Sequence, residues 1–277
     1  MFSTRLATAV VLLAACVSAL LYLPNRWWTA LLLAALLVAS WEWATLAGLR
    51  GAVRWLFAGL VPASAAAVWL LVAGSAAHTG RLTLPEILIH GAAGIFWLLI
   101  VVPWLARRRT VRSPLALTAA GWIVLVPAWL ALTRLQADAE RLLAVLGAIW
   151  LADTAAYLAG RTWGRHKLAP HISPGKTWEG LAGAWAAVAV YYVALSSAMP
   201  AWGWQGVGGA VLFAGVALMS VVGDLFESWV KRQSGVKDSG SLLPGHGGIL
   251  DRIDSMTAAL PIAALLLPYA DRALPFP

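Results

Sequence analysis

Nine stretches of the chain are almost wholly apolar, near residues 6–23, 28–48, 55–74, 85–105, 114–133, 141–160, 178–199, 206–230 and 252–270. Each is long enough to form a helix across a hydrocarbon core of about 30 Å. The pattern predicts an all-α, polytopic integral membrane bundle of about nine transmembrane helices. Basic residues set its orientation. With a cytoplasmic N-terminus, fifteen of the twenty Lys and Arg fall on inside segments, while Arg26, Arg81, Arg134, Arg141 and Arg272 fall outside. Basic loops are retained on the cytoplasmic side, so this asymmetry supports nine spans starting from within.

Composition strengthens the reading. Of 277 residues, 61% are hydrophobic and 12% charged, and mean hydropathy is +0.78, too apolar for a soluble domain. The net charge of +8 is scattered among apolar runs, which argues against nucleic acid as a partner. The single cysteine, Cys16, excludes an internal disulfide and a cysteine-based zinc site. Leu13–Cys16 has the form of a lipoprotein cleavage box, but Val17–Leu23 stays apolar, so this run is kept as a span. Tryptophans such as Trp27, Trp28, Trp41, Trp43, Trp202 and Trp204 fall near the expected membrane surfaces and read as interfacial anchors. His78 and His90 have no metal-ligand partners nearby in sequence. Glu42, about two turns before Arg50, reads as a side chain snorkelling to the interface. The loop Arg107–Arg112 reads as a topological anchor that would also attract anionic lipid.

Against this background residues 224–254 stand out. They hold Asp224, Glu227, Lys231, Arg232, Lys237, Asp238, His246, Asp251, Arg252 and Asp254. Asp224, Glu227 or Ser228, Lys231 and Arg232 recur at helical spacing and share one stripe. Gly235, Gly240, Pro244, Gly245, Gly247 and Gly248 then break the helix and free backbone N–H groups to approach anions. A new helix starts near Asp251, with Asp254 and Ser255 on the same face. Each carboxylate alone would be an ordinary helix cap. Together with lysine, arginine and glycine they suit divalent cations and several phosphates, so chemistry on phosphates is the first hypothesis.

A second polar region follows the sixth run. Asp153 and Tyr157 lie one turn apart near its cytoplasmic end, where an aspartate should face a polar cavity or a cation. The basic loop beyond reads GRTWGRHKLAPHISPGKTWEG from Gly160 to Gly180. Its Gly175–Lys176–Thr177 is not a P-loop, because Pro170 stands where that motif needs glycine and no strand is expected before it.

Ser228–Asp254, SWVKRQSGVKDSGSLLPGHGGILDRID, resembles the signature of the phosphatidate cytidylyltransferase family without departure over 27 positions. The similarity extends to Ala152–Asp153–Thr154 and to Gly160–Gly180; Ala155 stands where relatives often have glycine. The resemblance implies conversion of CTP and phosphatidic acid to CDP-diacylglycerol and pyrophosphate in phospholipid synthesis. Expected metal ligands are Asp224 and Asp251, with Asp254 and Asp153 completing or supporting the shell and Asp238 beside them. Lys231, Arg232, Lys237 and Arg252 are expected to bind phosphates, and His246 to contact a phosphate or help shape the loop. Ser173, Lys176, Thr177 and Glu179 are carried over from the matching loop, Arg165 would close the site, and Gly247 and Gly248 would allow close approach to the substrate. Mg²⁺ is the implied cofactor, with a second cation as a further possibility. The expected setting is a bacterial inner membrane, with the lipid bilayer as partner and a homodimer as the alternative to a single copy. A CTP-dependent lipid kinase is the nearest alternative, and a transporter the non-enzymatic one. Residues 1–140 form the scaffold half in this reading. Residues 141–277 bear the site, on cytoplasmic loops 161–177 and 231–251.

Overall fold

The computed structural model describes residues 2–76, 82–242 and 247–270. Its helices are α1 (Phe2–Tyr22), α2 (Asn25–Leu46), α3 (Gly51–Ala76), α4 (Leu84–Ala106), α5 (Pro114–Leu135) and α6 (Ala139–Trp163). A hairpin of β1 (Lys167–Ala169) and β2 (Ser173–Thr177) follows, then α7 (Trp178–Ala198), α8 (Val207–Gln233) and α9 (Leu250–Ala270). Every apolar run thus carries a helix. Seven stretches are long and apolar enough to cross a membrane, and the chain is a multi-pass, predominantly α-helical membrane protein. One of the seven, Pro114–Trp163, spans 50 residues and contains both α5 and α6, on either side of a 3₁₀ turn at Gln136–Asp138.

The antiparallel hairpin departs from an all-α reading. The segment is rich in Pro and Gly and polar on both sides, so it has no apolar stripe to bury as a helix. Two short strands instead satisfy its backbone groups. Helix α4 contains a π turn at Phe96–Val101, just before Pro103. Proline has no N–H to donate to the preceding turn, and the wider turn accommodates that loss.

Polar contacts sort the loops into two ends. At one, Ser234 Oγ donates to Leu46 O at 2.7 Å, and Val111 N donates to Gln233 Oε1 at 2.7 Å. This joins the ends of α2 and α8 to the arginine loop. At the other, Asn25 Nδ2 donates to Thr133 O at 2.9 Å, and Gln136 Nε2 donates to Leu23 O at 2.9 Å. Arg134 pairs with the buried Glu86 at 3.0 Å at this same end.

Several tryptophans serve the interior instead of the surface. Trp43 is 1% exposed, its Nε1 donates to Leu117 O at 2.8 Å, and Gly121 lies against the ring where a Cβ would clash. Trp204 is equally buried, and Trp28 Nε1 donates to Leu132 O at 3.2 Å. An indole N–H that finds a carbonyl inside the bundle no longer needs the interface. Phe226 of α8 lies within 6.1 Å of Trp43, Phe96, Trp97 and Trp229, measured between ring centroids. This aromatic cluster holds α2, α4 and α8 together beneath the polar stretch. Helix α8 is among the most enclosed of the apolar stretches and α7 the least.

Candidate active site

The polar residues of α8 and α9 form a continuous band because the two helices approach closely. At Gly223 a Cβ would lie 2.4 Å from Asp254 O, so only glycine allows this spacing. Asp224, Glu227 and Lys231 follow one stripe of α8, opposite Asp251 and Asp254 on α9. Lys231, itself buried, places Nζ 2.6 Å from Asp251 Oδ1 and 3.2 Å from Glu227 Oε1. Glu227 is buried too, and neither of its oxygens receives an aligned hydrogen bond. Asp254 interacts electrostatically with Asp224 and Asp153. Asp153 Oδ2 accepts from Ser255 Oγ at 2.9 Å, which brings α6 into the band.

The hairpin closes the band from above. Thr177 is buried and its Oγ1 accepts from Gly180 N at 3.0 Å, capping α7. Glu179 accepts from His166 N at 3.2 Å and lies 2.6 Å from His166 Nδ1, tying α7 to the start of the hairpin. With its root held this way, β2 projects Lys176 back toward α8, where Nζ lies 2.7 Å from Asp224 Oδ2. Beneath it opens a cavity of about 610 Å³ whose lining includes Asp153, Tyr157, Lys167, Ser173, Lys176 and Asp224. Gly160 and Gly180 also line it; a Cβ on Gly180 would lie 2.8 Å from Ala156 O, so α6 and α7 meet through small residues there.

Asp251 is more enclosed than the spacing suggested. Its Oδ2 accepts from Ser239 N and Gly248 N, both at 2.8 Å, and lies 3.0 Å from Ser239 Oγ. Asp224 and Asp251 are the expected pair of metal ligands, but the structure sets Asp224 on the cavity beside Asp153 and Asp251 in a separate nest. The glycines have a related role. Gly247 has φ +81°, and a Cβ there would lie 2.5 Å from Asp251 Oδ2. A Cβ on Gly248 would lie 2.5 Å from both carboxylate oxygens of Glu42. The anions these glycines approach here are the protein's own carboxylates.

Glu42 does not snorkel. It is 5% exposed and accepts from Ile249 N at 3.1 Å, Leu250 N at 2.9 Å and Ser239 Oγ at 3.0 Å. The sequence signal was present, since a carboxylate within an apolar run needs a partner. The partners lie some two hundred residues away, so spacing could not reveal them.

The other candidates lie outside the band. Arg232 Nε donates to Ile172 O at 3.4 Å, linking α8 to the hairpin turn. Arg165, Lys237, Asp238 and Arg252 are exposed around the rim. His246 lies outside the described residues.

The band places six carboxylates, Glu42, Asp153, Asp224, Glu227, Asp251 and Asp254, beside two lysines, Lys176 and Lys231. Among the described residues no ready-made cluster of three metal-ligating side chains forms. The donor chemistry nevertheless fits a hard cation, because oxygen ligands are in excess and Asp224 already draws an ammonium group to the cavity.

The cytidylyltransferase family model matches residues 3–270. The phosphatidate cytidylyltransferase of Pseudomonas aeruginosa is 38% identical over 285 residues, covering 96% of this chain and 97% of that protein. The protein of that name from Haemophilus influenzae is 33% identical over 94% of this chain and 96% of its own. The one from Brucella suis is 41% identical over 72% of this chain and 70% of its own.

Proposed function

The chain belongs to the cytidylyltransferase family, and from that premise we propose that it transfers CMP from CTP to phosphatidate, giving CDP-diacylglycerol and pyrophosphate. The observation that carries this reading is the Lys176–Asp224 pair at the 610 Å³ cavity, where a basic hairpin meets carboxylates held on membrane helices. A nucleotide reaches such a site from water while a lipid reaches it from between helices.

In this reading the chain crosses a bacterial inner membrane nine times from a cytoplasmic N-terminus. The support is the arginine-rich end, which carries the arginine loop, the hairpin and the α8–α9 loop together. Fifteen of twenty basic residues belong to that side. The site accordingly faces the cytoplasm.

The phosphate oxygen of the lipid attacks the α-phosphorus of CTP as pyrophosphate departs, so no protein nucleophile is required. Lys176 and Lys167, with Ser173, receive the triphosphate in the cavity and offset its charge. Asp224, Asp153 and Asp254 would hold Mg²⁺, which when bound supplies positive charge to the phosphoryl groups. Asp251 becomes available to a cation only by releasing Lys231. Lys231 lies between Glu227 and Asp251, at the end of the band nearest the exposed Arg232, Lys237 and Arg252 that would meet the lipid phosphate. Thr177 and Glu179 position the hairpin from outside the reacting atoms.

The test uses purified protein in detergent with phosphatidate, Mg²⁺ and CTP labelled at the α or the γ phosphate. Label from the α position should enter the organic phase, with γ label released as pyrophosphate. Lipid-extractable γ label would mean a kinase instead, and movement of neither label would remove the enzymatic reading.

A further inference from the structure

Glu42 lies in the N-terminal half, in α2, and touches none of the groups placed on substrate. We infer that it is a positioning residue for the reaction, holding the α8–α9 loop and the first turn of α9 so that Asp251 and Lys231 keep their geometry. The inference rests on the transferase reading for its kinetic consequence but not for its structural one.

The geometry is specific. Leu250 N opens the first turn of α9 and Ile249 N belongs to the residue just before it; N–H groups at a helix start have no partner within the helix. One carboxylate from another helix accepts both, at 3.1 and 2.9 Å. The same carboxylate lies 3.0 Å from Ser239 Oγ, which is also 3.0 Å from Asp251 Oδ2. Ser239 has one hydroxyl proton, so it donates to Glu42 or to Asp251 at a given moment, while its backbone N–H stays on Asp251. From Asp251 the path continues to Lys231 and Glu227 on α8. Glu42 therefore anchors a line of polar contacts running from α2 through the loop to the active-site stripe. The backbone is shaped for it on both sides: a Cβ at Gly240 would lie 2.5 Å from Glu42 Oε1, and one at Gly248 would meet both oxygens. A carboxylate is required. An amide at this position has one acceptor oxygen and turns an NH₂ group toward backbone N–H donors.

The test compares Glu42→Gln, Glu42→Asp and Ser239→Ala with the wild type. Glu42→Gln should lower kcat about 100-fold, the scale on which small misplacements act. Hydrogen–deuterium exchange should rise in peptides covering 239–242 and 247–252, with the other helices unchanged. Glu42→Asp keeps the charge and should give intermediate turnover. Ser239→Ala removes the hydroxyl that links Glu42 to Asp251 and leaves the backbone bonds of both carboxylates in place; it should lower kcat about tenfold while the α9 amides stay protected, a loss on the scale of one hydrogen bond to a charged group. Exchange that rises throughout the bundle in Glu42→Gln would make Glu42 a general folding residue and overturn the inference. So would turnover within about threefold of wild type, well below what one charged hydrogen bond is worth. If Glu42→Gln does not fold, Ser239→Ala decides, and unchanged turnover in that variant removes the positioning line. Exchange needs no substrate, so it judges Glu42 even if the wild type transfers no CMP, an outcome that would refute the transferase reading alone.

Discussion

Lys176 Nζ lies 2.7 Å from Asp224 Oδ2, joining a hairpin outside the helices to the most chemically loaded face of α8. The pair spans two segments that are separate in sequence, and both residues line the same cavity. Its two members should behave as one unit. Lys176→Met and Asp224→Asn should each lower kcat/KM for CMP transfer about 100-fold or more, as removal of a preorganised charge does. The double variant should fall little further, because groups that act together lose their effect together. Rates measured per mole of folded protein check this, and full additivity would separate the two roles.

Lys231 is buried between Glu227 and Asp251, so stability and activity should part company there. Lys231→Met leaves carboxylates facing one another and should destabilise the protein by about 3 kcal/mol. Adding Asp251→Asn removes one of those charges. The apparent Tm in detergent should therefore recover in part while turnover stays absent. A double variant no more stable than Lys231→Met would show that the pair is not coupled.

Gly223 is a spacing residue. Its substitution by alanine would press a methyl group against Asp254 O and the side chain of Ala258. Overpacking of this kind costs about 1–3 kcal/mol, and here it also shifts Asp254 away from Asp224. Gly223→Ala should lose turnover by more than its drop in Tm accounts for. Equal activity to wild type would mean that α9 moves as a unit without disturbing the site.

Thr177 tests whether a residue in the matching loop binds substrate or caps a helix. Its Oγ1 accepts from Gly180 N, and loss of such a cap costs about 1 kcal/mol. Thr177→Ser should keep both Tm and the KM for CTP, whereas Thr177→Val should lower Tm. A serine variant with normal Tm but a sharply raised KM would place Thr177 on the nucleotide instead.

Much of the molecule is legible in the residues themselves. Each of the nine apolar runs carries a helix, because a hydrocarbon core allows a spanning backbone few other ways to satisfy its hydrogen bonds. The stripe of Asp224, Glu227 and Lys231 also follows from local spacing, since the helical period alone puts them on one face. The hairpin at 167–177 escaped this reading because its strands are short and carry no alternating pattern. Trp28 and Trp43 escaped it because an indole near a run's end looks the same whether its N–H meets water or a carbonyl of another helix.

What the sequence by itself determined is the class of molecule, the order of its helices, the family, and which residues carry charge. These depend on local hydropathy, helical period and motif. The tertiary structure alone decided which charges meet. It put Asp153 beside Asp224, set Lys176 on Asp224, enclosed Asp251 between Lys231 and Ser239, and brought Glu42 to the start of α9. Contacts of this kind join positions up to two hundred residues apart, and they exist only where small residues such as Gly223 and Gly248 let the backbones approach.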